Sequence, residues 1–125
     1  MSELHISVLI VAPPGRWRDS LAVLLRAGGL KLEIELVDDG PGLPRLAGGP
    51  PAVVLVDAGL PNDGAWQLLG SARRDWPPAR CVVLAHTLAQ EQRARSVGAD
   101  AVLQVGFSGE ALYTTMRALL EGSYP

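Results

Sequence analysis

The sequence predicts a doubly wound α/β domain built on a parallel sheet, and three observations carry that reading. Short runs rich in Val, Ile and Leu alternate with longer amphipathic runs along the whole chain. Strict alternation of this kind implies parallel strands joined by right-handed crossovers, with helices on both sides of the sheet. The run Ala52-Val53-Val54-Leu55-Val56 is continuously apolar and is bounded by Gly48-Gly49-Pro50-Pro51, as expected of a strand buried on both faces. Asp57 closes that run, at the carboxyl end of a central strand, where open α/β sheets place their ligand sites.

The elements follow in order. His5 to Val11 reads as the first strand, ended by Ala12-Pro13-Pro14-Gly15. Residues 16–27 read as a helix with Trp17, Leu21, Leu24 and Leu25 at spacings of three and four, closed by Gly28-Gly29. Lys31 to Val37 sets Leu32, Ile34 and Leu36 against Lys31, Glu33 and Glu35, the pattern of a half-exposed edge strand. Two prolines allow residues 41–49 only a short helix. After Asp57, Asp63 is expected to cap a helix running to about Arg74 with Trp66, Leu68, Leu69 and Ala72 inward. Trp76-Pro77-Pro78 stops it. Arg80 to Ala85 forms the next strand, Leu88 to Val97 a helix ended by Gly98, and Ala101 to Val105 the last strand. Ser108 caps a final helix with Leu112, Met116 and Leu119 as its inner stripe.

Composition narrows the function classes. At 125 residues, with 48% apolar and 19% charged side chains, the chain is expected to form one globular domain over 1–121, with 122–125 beginning a linker or tail. The net charge is −2, and the eleven basic residues are dispersed, Arg73-Arg74 beside Asp75 and Arg93 and Arg95 beside Glu91. Without a concentrated basic face the domain is not expected to bind nucleic acid directly. No apolar stretch is long enough to cross a bilayer and no signal pattern opens the sequence, which points to a cytoplasmic protein that does not engage membranes. Cys81 is the single cysteine, so an internal disulfide is excluded and a small buried apolar role is expected. No nucleophile–base pair, phosphate loop or metal cluster stands out, so neither catalysis nor a cofactor is expected.

Val8-Leu9-Ile10-Val11, Arg18-Asp19-Ser20-Leu21, Val54-Leu55-Val56-Asp57-Ala58-Gly59-Leu60-Pro61 and Gly98-Ala99-Asp100 together carry a family resemblance. The chain resembles the CheY-like receiver domain of bacterial two-component response regulators over essentially its whole length. The second of these segments, and the ending from Met116 to Pro125, are similar to the NarL/LuxR branch, whose receivers precede a helix-turn-helix. The resemblance implies a flavodoxin-like (βα)5 three-layer sandwich with strand order 2-1-3-4-5. It also implies signal transduction, transcription regulation, a homodimer, and an effector DNA-binding domain elsewhere in a longer protein.

In working receivers the residue that Asp57 matches takes a phosphoryl group. An acidic pair with that aspartate and a backbone carbonyl holds Mg²⁺, a hydroxyl and a lysine bind phosphoryl oxygens, and an aromatic side chain reports the change. This sequence has Ala12 and Pro13 at the acidic pair, Ala85 at the hydroxyl, Val105 at the lysine with Gly106 for the following proline, and Val102 at the aromatic. Gly59 still offers the carbonyl. The glycine expected after Pro61 comes early at Gly64, or is replaced by Ala65, so that loop is expected to be rebuilt. The expectation is an atypical receiver that acts by protein–protein contact without Mg²⁺-dependent aspartyl phosphorylation, with Asp57 a residual carboxylate exposed at the strand end. One rival keeps Asp57 as a slow phosphoacceptor. Another makes Ala12, Pro13, Gly59, Ala85, His86, Val105 and Gly106 an apolar pocket for a small organic ligand.

The remaining residues are weighed in the same way. Asp38 and Asp39, one strand over, lie too far from Asp57 to complete one metal site, and beside Gly40 they suit a turn. His86 stands on the ligand rim, either solvated or hydrogen-bonded to Asp57. Thr87 replaces the missing hydroxyl only if its loop turns inward. Tyr113, Arg117 and Leu120 are expected on the outer side of the last helix, as a dimer surface.

Overall fold

The computed structural model describes residues 6–37 and 49–121. Strands β1 (Ile6–Val11), β2 (Leu32–Val37), β3 (Val53–Asp57), β4 (Arg80–Ala85) and β5 (Ala101–Gln104) alternate with helices α1 (Arg16–Arg26), α2 (Gly64–Asp75), α3 (Leu88–Ser96) and α4 (Gly109–Glu121). The strands form one parallel sheet in the order β2-β1-β3-β4-β5, as the sequence predicts. His5, Asp38, Asp39 and the segments 41–48 and 122–125 lie outside the described residues.

Alternation along the strands divides the core in two. Leu9, Val11, Val54, Val56, Cys81 and Val83 face α2 and α3, meeting Ala65, Leu68, Leu69, Ala72 and Ala94. Val8, Ile10, Val53, Leu55, Val82 and Leu84 face the other way, against Leu21, Ala22 and Leu25 of α1 and Leu112 and Met116 of α4. Every residue of β3 is buried, which is why its sequence shows no polar alternation. Each fully buried Leu or Ile contributes about 1.5–3 kcal/mol relative to its exposed state. The edges are β2, with Glu33 and Glu35 exposed, and β5, four residues long.

The amino ends of β4 and β5 are tied together by the Gly98-Ala99-Asp100 segment. Gly98 ends α3 at φ +85°, a conformation that favours glycine. Asp100 Oδ2 accepts a 2.7 Å hydrogen bond from the Cys81 amide and lies 3.4 Å from Arg73 Nη2, with Arg80 Nη1 at 3.9 Å from Oδ1. Arg73 also donates to the Gly98 carbonyl.

Two caps differ in outcome. Ser108 Oγ accepts from the Ala111 amide at 3.0 Å, as expected. Asp63 occupies the cap position of α2 but makes no capping hydrogen bond. Its backbone is left-handed (φ 58°), as is that of Asn62 (φ 57°), and its carboxylate instead meets Arg93 Nη1 at 3.5 Å. The loop after Pro61 therefore turns on Asn and Asp, the non-glycine residues that best tolerate this region. Gly64 is already helical, at φ −57°.

Candidate functional site at the carboxyl end of the sheet

Register brings the site together. Asp57, the last residue of β3, pairs with Leu84 of β4. Val53, Leu55, Val82 and Leu84 share one face, and continuing the alternation puts Asp57 and His86 on that face at the same rim. His86 Nε2 lies 2.6 Å from Asp57 Oδ1. An ionised carboxylate only accepts, which places the proton on Nε2. The Gly59 amide donates to the same oxygen at 2.7 Å. The Asp57 side chain is only 4% exposed, against 41% for His86. The expected exposed carboxylate is therefore buried, with the imidazole of His86 against it.

Gln90 and Thr87 hold the histidine in place. Thr87 Oγ1 accepts from the Gln90 amide at 3.1 Å and caps α3, so this hydroxyl serves the helix start. Gln90 Oε1 accepts from the His86 amide at 2.7 Å, and its Nε2 donates to the Ala58 carbonyl at 3.5 Å. One side chain thus links the loop after β3 to the loop after β4. Neither residue's role is identified by the sequence reading above. Its signal was the Thr87-x-x-Gln90 spacing of a capping box, here used with the glutamine reaching one residue further back.

The other rim positions are divided between core and solvent. Ala12 and Ala85 are both 0% exposed, closed into the core by their neighbours. Pro13 and Gly106 are exposed and Val105 is 38% exposed. Gly59 is fixed by crowding, since a Cβ there would lie 3.1 Å from Asp57 Oδ1 and 3.3 Å from His86 Nε2. A separate cleft, which neither Asp57 nor His86 lines, lies among Ala58, Leu60, Asp63, Trp66, Ala89, Gln90 and Arg93, where the Arg93 guanidinium sits 4.7 Å from the Trp66 ring centroid. Val102 packs half-buried against the core. Among the described residues no group of three or more His, Cys, Asp or Glu side chains is arranged to hold a metal ion, and no helix is long and apolar enough to cross a membrane.

The last helix corrects a further expectation. Tyr113 is not on its outer side. Its hydroxyl donates to the Leu24 carbonyl at 2.7 Å and its ring lies on Gly28, so it joins α4 to α1. Arg117 Nη2 reaches the Gly28 carbonyl at 3.5 Å, and Leu120 packs half-buried against the core. The exposed residues of α4 are Glu110, Thr114, Arg117, Ala118 and Glu121, mostly polar.

Solved receiver structures share this fold. A CheY-like response regulator receiver domain protein from Methanospirillum hungatei JF-1 matches with a TM-score of 0.79 at 22% sequence identity, over 96% of this chain and 97% of that one. The chemotaxis protein CheY4 of Vibrio cholerae matches with a TM-score of 0.75 at 19% identity, over 93% and 99% of the two chains. Full-length FixJ from B. japonicum matches with a TM-score of 0.75 at 20% identity, over 95% of this chain but 59% of that one. No family model matches the sequence, and no curated protein matches it. At such identities the likeness is one of fold, and the chain has the response regulator receiver fold.

Proposed function

We propose that the chain is an atypical receiver domain that signals through protein–protein contacts and self-association without Mg²⁺-dependent phosphorylation of Asp57. The observation that carries this reading is the 2.6 Å contact between His86 Nε2 and Asp57 Oδ1. An acceptor aspartate must present an oxygen to the donor's phosphorus, with a cation beside it to offset the charge. Here Oδ1 already takes two hydrogen bonds and the carboxylate is nearly shut off from water.

The donor set supports the same reading. Mg²⁺ requires near-octahedral oxygen ligands, several of them water. Ala12 and Pro13 bring no side-chain oxygen to this rim, and the imidazole occupies the approach to Asp57. These residues do not fit an Mg²⁺ site. A working receiver carries a net acidic cluster whose charge a bound metal ion offsets. At this rim the imidazole answers a single carboxylate, which favours one standing conformation.

Transcription control through a DNA-binding domain in a longer protein is supported by the resemblance of the Arg18-Asp19-Ser20-Leu21 and Met116–Pro125 segments to the NarL/LuxR branch. The domain itself, with dispersed arginines, takes no direct part in DNA contact. The test is incubation with acetyl phosphate and Mg²⁺ followed by intact-mass measurement. Unchanged mass is expected; an adduct of about 80 Da, the mass of one added phosphoryl group, located at Asp57 overturns the reading.

A further inference from the structure

Helix α1 presents an apolar groove of about 420 Å³ lined by Arg16, Asp19, Ser20, Val23, Leu24 and Ala27. Val23 is 65% exposed, the highest value among the exposed large hydrophobic residues. Flanking it at helical spacing, on the same exposed side, are Asp19 and Arg26. Among the described residues neither of these charges has an ion-pair partner. They are two helical turns apart, about 10.5 Å at 1.5 Å per residue, too far to pair within one helix.

The pattern is self-complementary. When two copies of α1 cross antiparallel about a two-fold axis near Val23, the Asp19 of each copy falls opposite the Arg26 of the other. Such an isologous contact satisfies both charges twice and covers both valines. We infer that this face of α1 is a self-association surface whose occupant is a second copy of the chain. The inference rests on the self-association reading above and moves the surface from α4, where Tyr113 and Leu120 are already packed, to α1. Tyr113 and Arg117 then act from behind, fixing the carboxyl end of α1 on α4.

Charge exchange tests this by sedimentation velocity over a concentration series. The unaltered chain is expected to dimerise. Asp19→Arg alone and Arg26→Asp alone are each expected to weaken self-association about tenfold or more, since each turns two attractions into two repulsions. The two single variants mixed together are expected to associate, because their charges are then complementary, and the doubly exchanged chain recovers the homodimer. Val23→Asp is expected to be monomeric, with circular dichroism confirming an unchanged fold. A dimer indifferent to all these substitutions overturns the α1 surface while leaving self-association intact. A chain monomeric at every concentration overturns both.

Discussion

The Nε2 atom of His86 and the Oδ1 atom of Asp57, 29 residues apart in sequence, lie 2.6 Å from each other. Each needs the other differently. The aspartate is almost fully buried, so losing the imidazole strips one of its two hydrogen bonds from a desolvated carboxylate. The histidine keeps water on its exposed side. The stabilisation therefore belongs chiefly to Asp57.

Replacing His86 with Ala is expected to cost about 1–2 kcal/mol, within the range for hydrogen bonds to charged groups, as read by urea denaturation at neutral pH. The same replacement in an Asp57→Ala background is expected to cost much less, because no buried carboxylate then remains to be satisfied. A coupling energy of about 0.5 kcal/mol or more is the expected outcome. Additive losses would show that the contact contributes nothing.

The ring of Tyr113 supports a second prediction. A Cβ at position 28 would come within 2.6 Å of Tyr113 Cδ1, and the ring cannot swing aside freely while its hydroxyl holds the Leu24 carbonyl. Gly28→Ala is expected to destabilise the protein by about 1–3 kcal/mol, the usual cost of overpacking. In a Tyr113→Leu background, Gly28→Ala should be tolerated more easily. Equal losses in both backgrounds, measured by thermal unfolding, would dissociate the glycine from the tyrosine.

Cys81 gives a pH dependence with a definite sign. Burial is the largest influence and pushes the thiol above its ordinary value of 9.0; Arg73 opposes this and Asp100 adds to it. A group whose folded value is raised contributes fully below its unfolded value, and that contribution is lost as pH rises toward the folded value. Stability should therefore begin to decline as pH rises through the ordinary thiol value of 9.0, and the Cys81→Ala variant should show a shallower decline over the same interval. A maleimide probe is expected to label the folded protein slowly and the unfolded chain at once. Identical alkaline limbs for the two proteins would count against the account.

Much of this architecture is legible in the sequence because period and punctuation report it directly. The limits of β4 coincide with the predicted Arg80–Ala85, and Ser108 caps the last helix as its position suggests. What stays hidden depends on two elements meeting. The His86–Asp57 contact, one of two alternatives the sequence leaves open, is decided by the Asp57–Leu84 register, because no local pattern states which residues of parallel strands lie side by side. Tyr113 illustrates the same limit. Helical spacing separates it from the Leu112–Met116 stripe, but only the neighbouring α1, opened by Gly28, turns that flank into an interior. Asp63 fails as a cap for a local reason: a left-handed backbone aims its side chain at Arg93.

The two sheet margins have a consequence for how copies of this chain can assemble. A margin strand with free backbone groups invites another strand to add, and repeated addition builds fibres. Here one margin, β2, sets Glu33 and Glu35 into solvent and the other, β5, ends after four residues. Carboxylates facing carboxylates repel, and so short a strand offers little to copy. Growth by strand addition is thereby disfavoured on both sides, and a two-fold contact of the kind proposed on α1 would close on itself at two copies.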